Sequence, residues 1–377
     1  MQLGGVRIQA LARLRREAAH RSVALLSRVP GGLRLEWWHD GRKWARLMPC
    51  PPDSRDPLAA DPKWLGAVRA ARRLVGAPAI HIENLSDLAL PAVDALAQDG
   101  PCLLSMHDFS GFCRRPHLWE SSGGFCDYST DADRCRACLE ESGAVGSIDQ
   151  PAHRALAAAI ASRVTGLVFP SRFMRDRLAT LLAWPADRPA AIVEPGIEPV
   201  PAAPRSPRRP DQVAFLGGGA DHAGGQRLVR VPAILAAHDL SVTVYGGYGH
   251  HNLGAIRRID RVRVRGYYRS GSLPMLLARQ GASVAVLLPR VPESFSMALS
   301  EAWAAGVPVV AAAQGALVDR LAQGGGLLLG ATPTDHEVSA AVDQLRSLRD
   351  VVVPPVPAAV DAAAAMRDVY RRWKITA

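Results

Sequence analysis

The chain has 377 residues, of which 48% are apolar, and this length and composition can supply the cores of two ordinary domains. Its formal charge of +10 comes almost entirely from arginine, since lysine stands only at Lys43, Lys63 and Lys374. The arginines are scattered and no basic strand carries interleaved aromatic residues, so we expect no nucleic-acid partner. The sequence contains no run of eighteen apolar residues and no signal peptide, and we therefore expect a cytoplasmic protein.

The N-terminal residues combine a glycine pair with a basic amphipathic run. Gly4 and Gly5 precede residues 6–20 (VRIQALARLRREAAH), in which apolar residues follow one side of a helix and arginines occupy the rest. This run suits a helix that covers a sheet. It also suits a helix that lies peripherally on the inner face of an anionic membrane.

Short apolar runs predict the strands of a first domain over residues 1–198. The runs are residues 22–26, 33–38, 79–82, 102–106, 166–170 and 191–197. Asp40-Gly41, between LEWW and KWARL, predicts a hairpin. The strand over residues 102–106 delivers His107 at its carboxyl end, which is the edge where open α/β sheets bind ligands. His81, in a neighbouring strand, is a weaker candidate for the same site.

Four of the six cysteines fall in residues 113–138, with the spacing C-x12-C-x8-C-x2-C. Without a secretory signal, disulfides are disfavoured and the closing CxxC is typical of thiolate metal ligation. One interpretation is a structural zinc, for which the ligands would be Cys113, Cys126, Cys135 and Cys138, with His117 as a substitute. The other is a set of free cysteines beneath a loop, because only the last pair has the spacing of metal ligands.

A proline- and arginine-rich segment, residues 199–212, predicts a linker between two domains. The second domain is expected over residues 213–355. It begins with a strand and a glycine-rich turn that contains Gly217 and Gly218, and such a turn lets backbone amides approach a diphosphate. Residues 356–377 predict a final helix.

Residues 289–315 (PRVPESFSMALSEAWAAGVPVVAAAQG) carry the most informative pattern, a strand, loop, helix and strand in succession. The loop amides and the helix N-terminus can meet a phosphate. Glu293 and Glu301, about two helical turns apart, can accept hydrogen bonds from hydroxyls. Together they indicate a ligand that is part phosphate and part polyol, such as a nucleotide sugar. The alternative is a pair of solvated glutamates on an ordinary helix.

This pattern resembles the E-x7-E motif of the retaining GT-B glycosyltransferases of family four, also called glycosyl transferases group one. The resemblance continues through SEAWAAGVPVVA and, more weakly, through HDF at residues 107–109 and VFPSRFMRDRL at residues 168–178. It implies an α/β GT-B fold with two Rossmann-like domains facing a cleft and a C-terminal helix that crosses back to the first domain. The strand that precedes the glycine loop in relatives is absent, so we expect a first domain without it.

The resemblance also implies an activity, the transfer of a sugar from a nucleotide-sugar donor to an acceptor hydroxyl with retention and without an obligatory metal. His107 would lie over the donor sugar, Glu293 would orient the sugar hydroxyls and Glu301 would bind the ribose. The backbone groups expected to contact the donor belong to Gly217, Gly218, Gly266, Ser294, Phe295 and Ser296. Gly4 and Gly5 would form the loop beside the donor phosphates and the acceptor.

The sequence departs from this family where the donor diphosphate is held. Relatives carry an arginine and a lysine at the places of Gly218 or Gly219 and of Ala223 here. Arg227 and Arg290 are the candidate replacements. Two functions therefore stay open. One is a glycosyltransferase with a glycan or lipid-linked acceptor in polysaccharide or glycoconjugate biosynthesis, and the other is an inactive GT-B protein that serves as a binding or scaffold partner.

Overall fold

The structure is a computed structural model that describes residues 5–52, 56–86, 88–185, 187–199, 206–217, 220–225, 227–246, 253–269, 271–348 and 351–375. No helix in these ranges has the length and apolar composition that a membrane crossing requires. The chain divides into two compact units. Unit 1 comprises residues 1–122, 126–195 and 359–377, and unit 2 comprises residues 123–125 and 196–358.

Unit 1 opens with a helix and an antiparallel three-stranded sheet, followed by alternating helices and strands. In chain order its elements are α1 (Gly5–Glu17), β1 (Val23–Val29), β2 (Gly32–His39), β3 (Arg42–Pro49), α2 (Pro62–Leu74), β4 (Ile80–Ile82), α3 (Leu90–Gln98), β5 (Cys102–Ser105), α4 (Ala132–Glu141), α5 (Gln150–Arg163), β6 (Gly166–Phe169), α6 (Arg172–Leu182) and β7 (Ala190–Ile192). Asp40 and Gly41 join β2 to β3 with φ angles of 48° and 71°, as a two-residue hairpin turn requires. The predicted hairpin is confirmed.

The second sheet of unit 1 is parallel and has the strand order β4-β5-β6-β7. Every residue of β5 and β6 is buried, as expected for parallel strands that are covered on both faces. Because the strands are parallel, the residues that follow β4 and β5 meet at one edge of the sheet. Those residues are Glu83 and His107.

Unit 2 is built on six parallel strands in the order β10-β9-β8-β11-β12-β13. Its elements are β8 (Arg209–Gly217), α7 (Arg227–Ala237), β9 (Ser241–Gly246), α8 (Leu253–Ile256), β10 (Val262–Gly266), α9 (Leu273–Gln280), β11 (Ala282–Leu287), α10 (Met297–Ala304), β12 (Val309–Ala312), α11 (Ala316–Leu321), β13 (Gly326–Leu329) and α12 (Asp335–Ser347). This is the doubly wound order, in which the connections from β8 and β11 run in opposite directions and leave a ligand crevice between them.

The side chains of β8 show how this sheet buries both of its faces. Val213 and Phe215 join an apolar cluster with residues of α7 and α12, whereas Ala214 and Leu216 join a second cluster with residues of α9, α10 and α11. Successive residues of a strand point to opposite faces, so β8 contributes to both cores. Helices therefore cover unit 2 on two sides.

The last helix, α13 (Ala359–Arg372), belongs to unit 1. It packs on α1, where Glu17 is 3% exposed and lies 2.8 Å from Arg21 and 3.2 Å from Arg367 of α13. One buried carboxylate thus joins the first and last helices of the described chain.

The structure differs from the sequence-based expectations in several elements. The helices α3 and α4 are not predicted, and α4 buries only Leu139, so it lacks an apolar periodicity that could be recognised. Residues 209–212, expected in the linker, begin β8 because Arg209 pairs with Ala282 of β11 despite its polar surroundings.

Candidate active site

The loop from β11 to α10 is fixed by the neighbouring turn between β12 and α11. Glu293 forms a parallel bridge with Gly315, and the Ala316 N–H donates to the Glu293 carbonyl at 2.8 Å. Ser296, the N-cap residue of α10, has φ 70°, a left-handed conformation that is costly for a residue with a side chain. The surrounding structure therefore holds this loop in one shape.

Arg320 of α11 supports the same loop from inside unit 2. Its guanidinium donates to the carbonyls of Phe295 and Ser296, both at 2.9 Å, and to Oγ of Ser300 at 2.8 Å. It also lies 4.0 Å from the centroid of the Phe295 ring and is 7% exposed. Arg320 was not predicted as a functional residue. Its only signal is helical spacing, which places it on the apolar face of α11 with Leu317.

The two glutamates of the motif both lie in surroundings of low polarity. Burial raises the pKa of Glu293 to about 7. Burial also raises the pKa of Glu301 to about 7, although the Gly271 N–H donates to its Oε1 at 3.2 Å and opposes that shift. Hydroxyl donors favour the ionised form of a carboxyl. A ligand that brings hydroxyls to Glu293 and Glu301 therefore gains binding energy from both.

These pKa values predict a pH dependence of stability for the ligand-free chain. Both carboxyls ionise near pH 7 when folded, against an ordinary value of 4.5. Between these pH values the folded chain binds more protons, so the free energy of unfolding falls as pH rises from 4.5 to 7. Each group contributes up to roughly 3 kcal/mol.

Urea unfolding at pH 5 and pH 7.5 checks this prediction. The double variant E293Q/E301Q carries no carboxyl at either place, so its stability should change less over this interval than that of the wild type. Parallel pH curves for the two proteins would contradict the assignment.

The turn after β10 is joined to Glu301. Gly266, expected to contact a nucleotide base, ends β10, and Gly271 in the following loop bonds the Glu301 carboxyl. Burial raises the pKa of Tyr268, and the nearby Glu301 raises it further. The structure thus brings Gly266 and Glu301 to one part of unit 2.

Two arginines lie close together beside the turn that follows β8. Gly224 lets this turn approach β11, since an added Cβ would stand 2.7 Å from the Leu288 carbonyl oxygen. The Arg290 N–H donates to the His222 carbonyl at 2.9 Å. Burial lowers the pKa of Arg227, the first residue of α7, and the cation of Arg290 lowers it further. Nη1 of Arg227 is buried without a hydrogen-bond partner among the described residues.

In unit 1, His107 and Glu83 meet at the carboxyl ends of β5 and β4. Nε2 of His107 is 3.5 Å from Oε2 of Glu83, and Arg13 of α1 forms an ion pair with the same carboxylate. Burial lowers the pKa of His107 to about 4, and the cation of Arg13 contributes to the shift. The ring is therefore neutral at neutral pH, when it can donate or accept a hydrogen bond but supplies no charge.

The residues around His107 have structural partners. Asp108 accepts hydrogen bonds from Nδ2 of Asn84 at 2.8 Å and from the Ser110 N–H at 2.8 Å, which shapes the loop after β5. His81, the weaker candidate, shares hydrogen bonds of 2.8 Å with Tyr370 and Ser105. Glu83 was not predicted as a site residue, although its position directly after a strand was a usable signal.

The Arg13–Glu83 pair predicts a measurable coupling. Their side chains are 17% and 24% exposed, so removing one partner leaves a partly buried charge without its counter-ion. We expect E83A and R13A each to lower stability and the double variant to lose less than their sum, with a coupling energy of about 1–3 kcal/mol. Urea unfolding of the four proteins measures it, and additive losses would show that the pair contributes nothing.

The other residues that the sequence predicts for the donor site lie in different parts of the chain. Gly4 and Gly218 lie outside the described residues, Gly5 begins α1 and Gly217 ends β8. His107 belongs to unit 1, whereas Glu293, Ser294, Phe295, Ser296 and Glu301 belong to unit 2.

The four cysteines expected to bind zinc line one small cavity of about 20 Å³ in unit 1. Burial raises the pKa of Cys113 to about 11, and Arg154 donates to Sγ of Cys135 at 3.3 Å. Across the described ranges, no three His, Cys, Asp or Glu side chains form a group that could hold a metal ion. The zinc therefore stays a prediction.

Comparison with known families identifies unit 2. Residues 211–348 match the family described as glycosyl transferases group 1. The chain carries a group 1 glycosyltransferase domain. The matched range contains both glutamates of the motif together with Arg227, Arg290 and Arg320, so these residues lie within the glycosyltransferase domain, whereas His107 lies outside it. No curated protein matches the chain at a significant level.

Solved structures extend the likeness to unit 1. Sucrose-phosphate synthase from Thermosynechococcus elongatus is 17% identical with a TM-score of 0.56, over 82% of this chain and 77% of that one. HepE from Anabaena, in complex with UDP and glucose, is 13% identical with a TM-score of 0.53, over 81% of each chain. The pneumococcal O-GlcNAc transferase GtfA, with UDP and GlcNAc, is 13% identical with a TM-score of 0.51, over 94% and 69%. The chain has the GT-B fold of two Rossmann-like domains.

Proposed function

We propose that this glycosyltransferase moves a sugar from a nucleotide-sugar donor to an acceptor hydroxyl with retention. The observation that carries the proposal is that one doubly wound domain holds two carboxyls of raised pKa, in the loop and helix after β11, and two arginines close to each other beside the turn after β8. A diphosphate can accept hydrogen bonds from both arginines, and sugar hydroxyls can donate to the carboxylates.

The diphosphate is expected beside Arg227 and Arg290. The cation of Arg290 acts unfavourably on that of Arg227, and the negative charge of a diphosphate would offset this repulsion. The N-terminus of α7 begins at Arg227 and adds a favourable dipole. These arginines take the place of the cations that the sequence lacks at Gly218 and Ala223.

The glutamates orient the rest of the donor. Glu301, bonded to the loop after Gly266, binds the ribose, and Glu293 binds the sugar hydroxyls. The backbone amides of Ser294, Phe295 and Ser296 stabilise the charge that develops on the departing diphosphate.

Retention requires no side-chain base in this proposal. A diphosphate oxygen on the same face as the departing group takes the acceptor proton while the new glycosidic bond forms. His107 is proposed to hold the donor sugar. A neutral ring suits this role better than an imidazolium, because it can hydrogen-bond a sugar hydroxyl without adding positive charge beside a developing oxocarbenium ion. The acceptor is a glycan or a lipid-linked glycan.

Binding of UDP and of UDP-sugars tests the proposal, because HepE and GtfA bind UDP in their crystal structures. Thermal unfolding should shift upward with any donor that binds the folded chain. Other nucleoside diphosphates and their sugars complete the series. If none of these ligands at several millimolar raised the unfolding temperature, the enzyme proposal would be wrong.

The second candidate is an inactive GT-B protein, favoured by Ala223 in a place where relatives carry lysine. It predicts nucleotide binding without turnover. Release of UDP from a bound UDP-sugar in the presence of water or an added glycan separates the two functions, since only an enzyme forms the diphosphate product.

A further inference from the structure

A second polar groove lies on the sheet of unit 2, along β9 and β10 beside α9, with a volume of about 630 Å³. On β10, Val262 and Val264 pack against the apolar cluster on one face, whereas Arg263 and Arg265 are exposed on the other. This alternation turns two arginines of one strand into the same groove.

Five arginines line the groove, and none of the described residues that line it is acidic. They are Arg209, Arg261, Arg263, Arg265 and Arg279. Arg209 and Arg261 have carboxylate neighbours outside the groove, at 3.1 Å and 3.4 Å. For the other three arginines, no carboxylate in the described part of the chain lies within ion-pair distance. The groove therefore carries positive charge that the described residues of unit 2 neutralise only in part.

The floor between these arginines is also polar. Ser241 and Thr243 of β9 line it, and the Tyr245 hydroxyl donates to Oε1 of Gln280 at 2.9 Å. A face of a parallel sheet is ordinarily covered by helices and apolar. Here α9 has only eight residues, and the strands beside it carry hydroxyls and arginines. The groove is thus a polar recess and not an exposed piece of core.

We propose that this groove binds the phosphate groups of an anionic ligand, as a free polyphosphate or as the headgroups of anionic lipids. Guanidinium groups match phosphate in charge and in hydrogen-bond geometry. The volume falls within the range of small-ligand sites and accommodates more than one phosphate. The groove shares no residue with the donor site, because Arg227, Arg290 and both glutamates lie outside its lining.

Titration of the full chain with tripolyphosphate, and separately with phosphatidylglycerol vesicles, tests the proposal at physiological salt. The R263A/R265A variant should bind at least about tenfold more weakly, since hydrogen bonds to charged groups are individually strong. The control R257A/R258A removes the same charge from exposed arginines just before β10 that do not line the groove. It should change affinity by less than about threefold, because these arginines do not line the groove and salt screens exposed charges.

The two arms also identify the source of the phosphate. Loss of tripolyphosphate binding in R263A/R265A supports a free polyphosphate, and loss of vesicle binding alone supports a lipid headgroup. The conservative R263K/R265K should retain intermediate affinity, and R279A on α9 provides an independent groove variant. Absence of binding by the wild type to both ligands overturns the proposal. So does wild-type affinity in R263A/R265A, which would place the anion at the donor site, or equal weakening in both double variants.

Discussion

The Glu301→Gln variant is expected to bind UDP about tenfold to hundredfold more weakly than the wild type without losing thermal stability near pH 7.5. The ribose loses a charged acceptor, and hydrogen bonds to charged groups contribute about 1.5–3 kcal/mol each. The folded protein loses little, because burial already penalises the ionised carboxyl, whose pKa is about 7. A neutral amide avoids that penalty, and its oxygen can still accept from the Gly271 N–H.

Isothermal titration of UDP together with a thermal scan measures both halves of this prediction. Asp319→Asn is a matched control, since it removes one carboxylate from the exposed side of α11. It should leave UDP affinity unchanged. Wild-type affinity in E301Q would exclude Glu301 from the ribose site, and a parallel fall in stability and affinity would indicate a structural role instead.

The sequence was sufficient for the parts of the site that are continuous along the chain. Burial of all six residues of β11 follows from its nearly continuous apolar run, which only Ser283 interrupts, and α10 ends before Gly306 and Pro308 as their conformational preferences dictate. The ends of the Glu293 loop are therefore placed by their own sequence, whereas its shape depends on Gly315, Ala316 and Arg320. Local chemistry also fixes the hairpin at Asp40 and Gly41, because few residues accept two successive left-handed conformations.

Contacts between distant parts of the chain were not predictable in the same way. The Glu83 carboxylate pairs with Arg13, which lies seventy positions earlier, and lies beside His107, which follows the next strand. Neither contact can be recognised from the residues next to Glu83. From the sequence pattern alone, the arginines of β10 are expected on the exposed face of an edge strand. They form a groove only because α9 ends beside them, and helix position over a sheet is a property of tertiary packing.

A buried arginine is the hardest residue to predict from sequence, because arginines mostly lie at the protein surface. Nothing near Arg320 in the sequence marks it as internal except the spacing of its apolar neighbours. Its partners, the carbonyls of Phe295 and Ser296, precede it by more than twenty residues. The buried carbonyls of this strained loop need a long side chain with several donors, and a guanidinium group is such a side chain.

Replacing Arg320 by methionine is expected to lower the free energy of unfolding of unit 2 by about 3–5 kcal/mol, because its buried acceptors lose their donor while the side-chain volume stays similar. Protection against hydrogen exchange should fall over residues 293–304, and UDP affinity should fall with it, since the positions of the Ser294 to Ser296 amides depend on the shape of the loop.

Arg230→Met is the control, as Arg230 is 71% exposed in its ion pair with Asp335, and such pairs contribute at most about 1 kcal/mol. Equal urea midpoints for the two variants would show that the loop keeps its shape without Arg320, whereas partial recovery in R320K would assign the loss to its hydrogen bonds.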